Sequence, residues 1–314
     1  VAGFLGAVAA ILLTKTGLPV YEVIPVVLLM GILIGLFNGI LVGKLKIPAF
    51  VVTLAGMMIF RGALILITEG TGTIIIPNKT FNAIGTGFIP DIVQGSDIHI
   101  LTLILGGLAI LFYIWTQVKT RRNNIKYNLQ VLSLPMFIIK LVFISIIIGY
   151  VTWIIANYNG LSWTTVVVAI VVATYHFITN KTQLGRHIYA VGGNIEAAKL
   201  SGINVKKITY IVFASMSMLA ALAGILYTAR LQSASTIAGN GFELDAIAAA
   251  YVGGVSAAGG VGKVTGSIIG ALVIASLTSG MNLMGVGAHY QYIIKGIVLV
   301  IAVAFDVITR KKSK

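Results

Sequence analysis

The sequence predicts an all-α polytopic membrane protein of about ten transmembrane helices, and three observations carry that prediction. Hydrophobic residues fill 58% of the 314 positions and charged residues only 10%, far from the mix of apolar core and charged surface that a soluble domain needs. Several stretches run 18 or more residues with almost no charge. At a rise of 1.5 Å per residue such a helix crosses about 30 Å of hydrocarbon. Finally, the basic residues gather in alternate connections, as membrane orientation requires.

The apolar windows lie at 1–13, 20–43, 47–68, 98–118, 131–156, 163–178, 208–229, 244–260, 264–284 and 290–308. The first is too short to span alone and has neither an initiator methionine nor a basic leader, so it reads as the end of a truncated crossing, not a signal peptide. A cytoplasmic C-terminus puts both ends inside and makes 1–314 one permease domain, with a cytoplasmic loop at 179–207 and an external loop at 69–97. That orientation places Lys44, Lys46, Lys119, Arg121, Arg122, Lys126, Lys181, Arg186, Lys199, Lys206, Lys207, Lys263, Arg310, Lys311, Lys312 and Lys314 inside, sixteen of 22 basic residues. Only Lys15, Lys79 and Arg230 fall in external loops. The net charge of +14 is therefore topogenic, the partner surface is lipid, and nucleic acid is not needed to explain it. With no cysteine in the chain, a disulfide framework and a thiolate metal site are excluded.

Window 244–260 is the irregular one. Gly253, Gly254, Gly259 and Gly260 weaken any helix there, yet deleting the crossing would put the basic loop around Arg186 and the C-terminal basic cluster on opposite faces. It is expected to be a broken crossing, which bilayers accept where the backbone is buried in protein or lines a cavity. Window 20–43 carries Gly31, Gly35, Gly39 and Gly43, a four-residue spacing that forms one smooth helical groove for a neighbour. Gly266 and Gly270 repeat the spacing in a segment crossing the other way, a hint of inverted repeats.

The cytoplasmic loop has its own helix signature. Asn194 is a good N-cap, Glu196 sits in the first turn, Lys199 lies toward the end, and Gly202 suits the left-handed C-terminal position. Two turns exposing Ile195 and Leu200 do not persist alone in water, so the loop either packs on its own helix ends or docks into a partner.

Glu196, Ala197, Ala198 and Gly202 together resemble the Glu-Ala-Ala then glycine coupling loop of ATP-binding-cassette import permeases. The surroundings resemble the ribose, xylose and multiple-sugar branch: Asn38-Gly39, Lys46 to Leu54 with Pro48 and Thr53, Phe60-Arg61-Gly62, Gly253-Gly254, Gly259-Gly260, Lys295-Gly296 and Asp306. The Leu-Pro that follows the loop in the wider family is absent. That branch usually carries an Ile-Asp-Leu-Ser-Val-Gly-Ser-like segment just before the point where this sequence starts, which predicts an N-terminally truncated chain. The resemblance implies a multi-pass subunit of the bacterial cytoplasmic membrane that imports a monosaccharide and binds no cofactor itself. ATP belongs to a partner cassette ATPase, an extracytoplasmic sugar-binding protein delivers substrate, and a second permease copy completes the pathway. It further implies ATPase coupling through Gly185, Arg186, Gly192, Gly193, Asn194, Glu196, Ala197, Ala198 and Gly202. Gly259 to Lys263 resembles the end of a Walker A loop, but Ala257 replaces its first glycine and Val264 its Ser or Thr, so no nucleotide site follows.

The candidate pathway residues are Asn38, Thr53, Arg61, Gly253, Gly254, Asn282 and Lys295. Arg61 and Lys295 lie in the outer halves of their windows and either snorkel outward or face a wet cavity. Asn38 and Asn282 either meet sugar hydroxyls or bridge helices. Lys140 snorkels toward the inner face, His176 is interfacial, and Trp115, Trp153 and Trp163 sit at window ends as an aromatic belt. No nucleophile with a base, and no paired acids deep in a span, support an intramembrane enzyme. The competing classes are a permease for another small solute, such as a branched-chain amino acid or an autoinducer, and an ion-coupled secondary transporter.

Overall fold

The computed structural model describes residues 1–69, 72–91, 98–256 and 258–311. Expectations that fall on Ala257, Lys312 and Lys314 lie outside the described residues, as do residues 70–71 and 92–97 of the expected external loop and the side chains of Arg310 and Lys311. In chain order the elements are α1 (Ala2–Thr14), α2 (Val20–Gly43), α3 (Ala49–Thr68), β1 (Thr73–Ile75), α4 (Lys79–Thr86), α5 (Ile100–Lys126), α6 (Leu134–Tyr158) and α7 (Trp163–Lys181). They continue with α8 (Gln183–Gly193), α9 (Ile195–Leu200), α10 (Val205–Leu231), β2 (Ser233–Ser235), α11 (Phe242–Val252), α12 (Val264–Leu283) and α13 (Ala288–Lys311). Among the described residues, eight helices are long and apolar enough to cross a membrane: α2, α3, α5, α6, α7, α10, α12 and α13.

Two compact units emerge, one from 1–82 with 167–314 and one from 83–166. The core of the first is α10 laid against α2 and α1. Here the four-residue glycine row acts as the spacing predicts. A side-chain carbon on Gly31 would lie 2.8 Å from Ala221 Cβ, one on Gly39 3.1 Å from Tyr210 Cα, and one on Gly43 2.8 Å from the Tyr210 ring. Gly35 abuts the backbone of Phe213 and Ala214, so α2 has no room for side chains along this edge and the helix axes approach closely. Gly6 of α1 and Gly224 of α10 extend the same seam. The connection after α3 contributes β1, which pairs antiparallel with β2 through Ile74 opposite Ala234; local propensity gave no sign of this small sheet.

In the second unit α5 packs along α6, with Gly106 against Thr152. Both Asp91 oxygens accept backbone hydrogen bonds at the start of α5, from Ile100 at 2.8 Å and Leu101 at 2.9 Å, so this acid caps the helix. α5 continues to Lys126, about two turns past the apolar window, because Arg121, Arg122 and Lys126 are good helix formers.

Window 244–260 is helical only as far as Val252. Eleven residues rise about 16 Å, half of a bilayer's hydrocarbon. Gly254, Gly259 and Gly260 then take φ of +81°, +82° and +72°, a left-handed backbone that glycine alone adopts without strain.

Candidate functional site

The loop 179–207 folds as two helices joined at one residue. Thr182 caps α8, its hydroxyl accepting from Gly185 N–H at 3.2 Å and donating to the Ile178 carbonyl at 2.6 Å. Gly185 is buried against the Ile178 and Thr179 carbonyls, where any side chain would force α7 and α8 apart. Asn194 ends α8 and starts α9: its N–H donates to the Ala190 carbonyl at 3.0 Å and its Oδ1 accepts from Ala197 N–H at 3.0 Å. Glu196 stands at the N-terminal, positive end of α9 and pairs with Lys199 at 3.2 Å. At the other end Gly202 takes φ of +78°, and its N–H and that of Ile203 donate to the Lys199 and Ala198 carbonyls at 2.9 and 3.0 Å. The capping read from the sequence is thus built in full.

Six residues of α9 cannot hold a helix unaided; the caps, the burial of Ala198 (3% exposed) and contact with α8 and α10 hold it. Its other face is bare, with Ile195 51% and Leu200 90% exposed. Arg186 is exposed on α8. α9 is thus a helix capped at both ends whose two largest apolar side chains are left uncovered.

Sequence reasoning missed α8 itself and what it touches. Thr182 three residues before Gly185, followed by Leu184, Ile188 and Val191 at helical spacing, was a legible helix start. The contact of α8 was not legible: Gly192 and Gly193 lie against Gly259 and Gly260, and Tyr189 Oη donates to the Gly262 carbonyl at 2.8 Å.

The pathway residues do not form one site. Asn38 is buried (9% exposed) on α2, with its side-chain amide beside Gly56 of α3. Thr53 is exposed and its hydroxyl donates back to the Ala49 carbonyl at 3.0 Å. Gly253 ends α11 against the Gly266 backbone of α12, whereas Gly254 has open space around it. The two charges that sequence placed in outer half-spans find protein partners at the start of α11. Arg61 Nη1 donates to Asn240 Oδ1 at 2.9 Å, and Lys295 Nζ pairs with Asp245 at 2.8 Å. Their partners lie 179 and 50 residues away in sequence. Asn282 Oδ1 accepts from Gln291 Nε2 at 2.8 Å, so it bridges α12 to α13 one helical turn from Lys295. Arg61, Asn282 and Lys295 with Asp245, Asn240 and Gln291 therefore mark the ends of α11, α12 and α13 opposite α8.

A shallow groove of about 160 Å³ between α2, α7 and α10 is lined by Leu28, Ile170, Val171, Met218 and neighbours. The Tyr175 hydroxyl at its edge is bonded to Ser215, leaving an apolar wall suited to an acyl chain or a packing helix and not to a polyhydroxylated solute.

A family profile described as "Branched-chain amino acid transport system / permease component" matches residues 2–303. The chain belongs to this family. It is accordingly a multi-pass permease component of a bacterial transport system. The permease is similar to the xylose transport system permease protein XylH of Haemophilus influenzae, with 42% identity over 311 residues that cover 99% of this chain and 80% of that protein. XylH of Escherichia coli K12 is 39% identical over 311 residues, covering 99% and 77%. The ribose import permease protein RbsC of H. influenzae is 36% identical over 304 residues, covering 96% and 72%. No solved structure matches this permease.

Proposed function

We propose that this permease is the membrane subunit of an ATP-driven importer for a pentose of the xylose or ribose kind. The observation that carries the reading is 42% identity to a xylose permease across 99% of the chain. The docking helix supports it. α9 is capped at both ends, and Leu200 and Ile195 protrude from it, the geometry required of an element that seats in a cassette ATPase. ATP hydrolysis then belongs to that partner, an extracytoplasmic binding protein delivers the sugar, and two permease copies in lipid enclose the path. Gly185, Arg186, Gly192, Gly193, Asn194, Glu196, Ala197, Ala198 and Gly202 form the ATPase-coupling loop. Within the path we place Lys295, Asn282 and Arg61 at the outer entrance, Gly253 and Gly254 at the break in the eighth crossing, and Asn38 and Thr53 on the α2–α3 side.

The test is uptake of radiolabelled xylose, ribose and leucine by cells that lack their own pentose importers and express this permease with its ATPase and binding protein. Pentose uptake that stops when the ATPase is inactivated is the expected result. Leucine uptake in place of pentose uptake would favour the substrate named in the family's description, and pentose uptake indifferent to the ATPase would favour ion coupling.

A further inference from the structure

We infer that the contact of Gly192 and Gly193 with Gly259 and Gly260 relays movement of α8 and α9 into the broken eighth crossing, with Tyr189, Gly192 and Gly260 as positioning residues. The inference rests on the reading of 179–207 as the ATPase-docking loop and adds the route by which its motion leaves it.

The contact is main chain on main chain. A carbon added to Gly192 would lie 2.7 Å from the Gly260 nitrogen, one on Gly259 2.5 Å from the Gly192 oxygen, and one on Gly260 2.6 Å from Gly193 Cα. Side chains yield to a push by changing rotamer, but backbone packed on backbone has no such freedom and passes displacement on. Tyr189 pins the two pieces together through its 2.8 Å hydrogen bond to the Gly262 carbonyl.

Ser256 and residues 258–262 behave as one block. Ser256 N–H donates to the Val261 carbonyl and Gly259 N–H to the Ser256 carbonyl, both at 3.1 Å, and Gly262 packs on Val255. The block connects outward in three directions. Ser256 Oγ donates to Asp306 Oδ2 of α13 at 3.2 Å; Lys263 leads directly into α12; and Gly254, with φ of +81°, joins the block to α11 through a turn in which Gly254 N–H donates to the Tyr251 carbonyl at 2.9 Å and Val255 N–H to the Ala250 carbonyl at 3.0 Å. A shift of α8 consequently reaches α11, α12 and α13, whose far ends carry the Lys295–Asp245 pair.

Gly192 is helical, so Gly192→Ala adds only a methyl at the contact, and Tyr189→Phe removes only a hydroxyl. In the purified complex of permease, ATPase and binding protein, Tyr189→Phe should retain the ATPase and hydrolyse ATP at the basal rate. Stimulation of hydrolysis by xylose-loaded binding protein, and uptake per ATP consumed, should fall about threefold to thirtyfold for Gly192→Ala, the span of effects known for residues that bias a two-state element. Tyr189→Phe should fall in the same direction by less. Wild-type stimulation and uptake per ATP in both variants would overturn the relay, as would loss of ATPase retention in both, which would make the surface part of the docking site. If Gly192→Ala fails to insert, Tyr189→Phe alone decides by the same two readouts. A wild-type complex that retains no ATPase would show its failure before any substitution and would overturn the underlying docking-loop reading together with the relay.

Discussion

Two glycine-rich regions of this permease look alike in composition and do opposite things. In α2 the row Gly31, Gly35, Gly39 and Gly43 keeps helical backbone and removes side chains, so that α10 closes on it. After Val252 the glycines abandon the helix: Gly254, Gly259, Gly260 and Gly262 all have positive φ. The first region uses the absence of Cβ for contact, the second chiefly for conformation. Regular spacing is what separates them, since i, i+4 repetition is a helix surface and paired glycines are not.

The sharpest way to break this contrast is to add bulk to each. Gly35→Leu drives a side chain into the Phe213 and Ala214 backbone and should cost about 3 kcal/mol; loss of monodisperse protein in fluorescence-detected size exclusion checks it. Gly253→Leu, pressed on the Gly266 and Ser267 backbone, should leave the protein inserted and abolish uptake. Next in size is the outer ion pair. Lys295→Met and Asp245→Asn should each lower the thermal midpoint, and the double variant should recover part of the loss, giving a coupling energy of about 1 to 2 kcal/mol. Smallest is Gly254→Ala. With open space at that position it meets only left-handed strain of about 1 kcal/mol, so it should insert normally and retain measurable uptake, unlike Gly253→Leu. Equal loss in these two would erase the distinction between contact and conformation.

What could be read from sequence divides along physical lines. Helix existence was legible in the apolar windows, because a bilayer imposes length and hydrophobicity on each span. The α9 helix was legible too, because Asn194, Glu196, Lys199 and Gly202 act within one or two turns and capping is a local interaction. The partners of Arg61 and Lys295 were not legible: Asn240 and Asp245 come from distant sequence, and no local rule links them. Gly192 and Gly193 illustrate both limits at once, since the pair announces a break or a close approach but not that Gly259 and Gly260 lie on the other side.

The chain is free of cysteine, which makes orientation directly measurable. Single cysteines at Asn123 and Asn194 should react only with cytoplasmic reagent and one at Thr86 only with external reagent; external labelling at Asn194 would remove α9 from the ATPase's side of the membrane.

The central claim, that α9 is the seat of an ATPase, is tested most directly by Leu200. This side chain is 90% exposed and makes no contribution to the folded core, so Leu200→Asp should leave insertion and thermal stability within about 0.5 kcal/mol of wild type. Affinity purification of the complex should then recover the ATPase subunit at one-tenth or less of the wild-type ratio, about 1.4 kcal/mol of binding, and pentose-stimulated hydrolysis should vanish with it. Full ATPase recovery with Leu200→Asp, and again with Glu196→Lys, would contradict the account and leave α9 a purely structural turn.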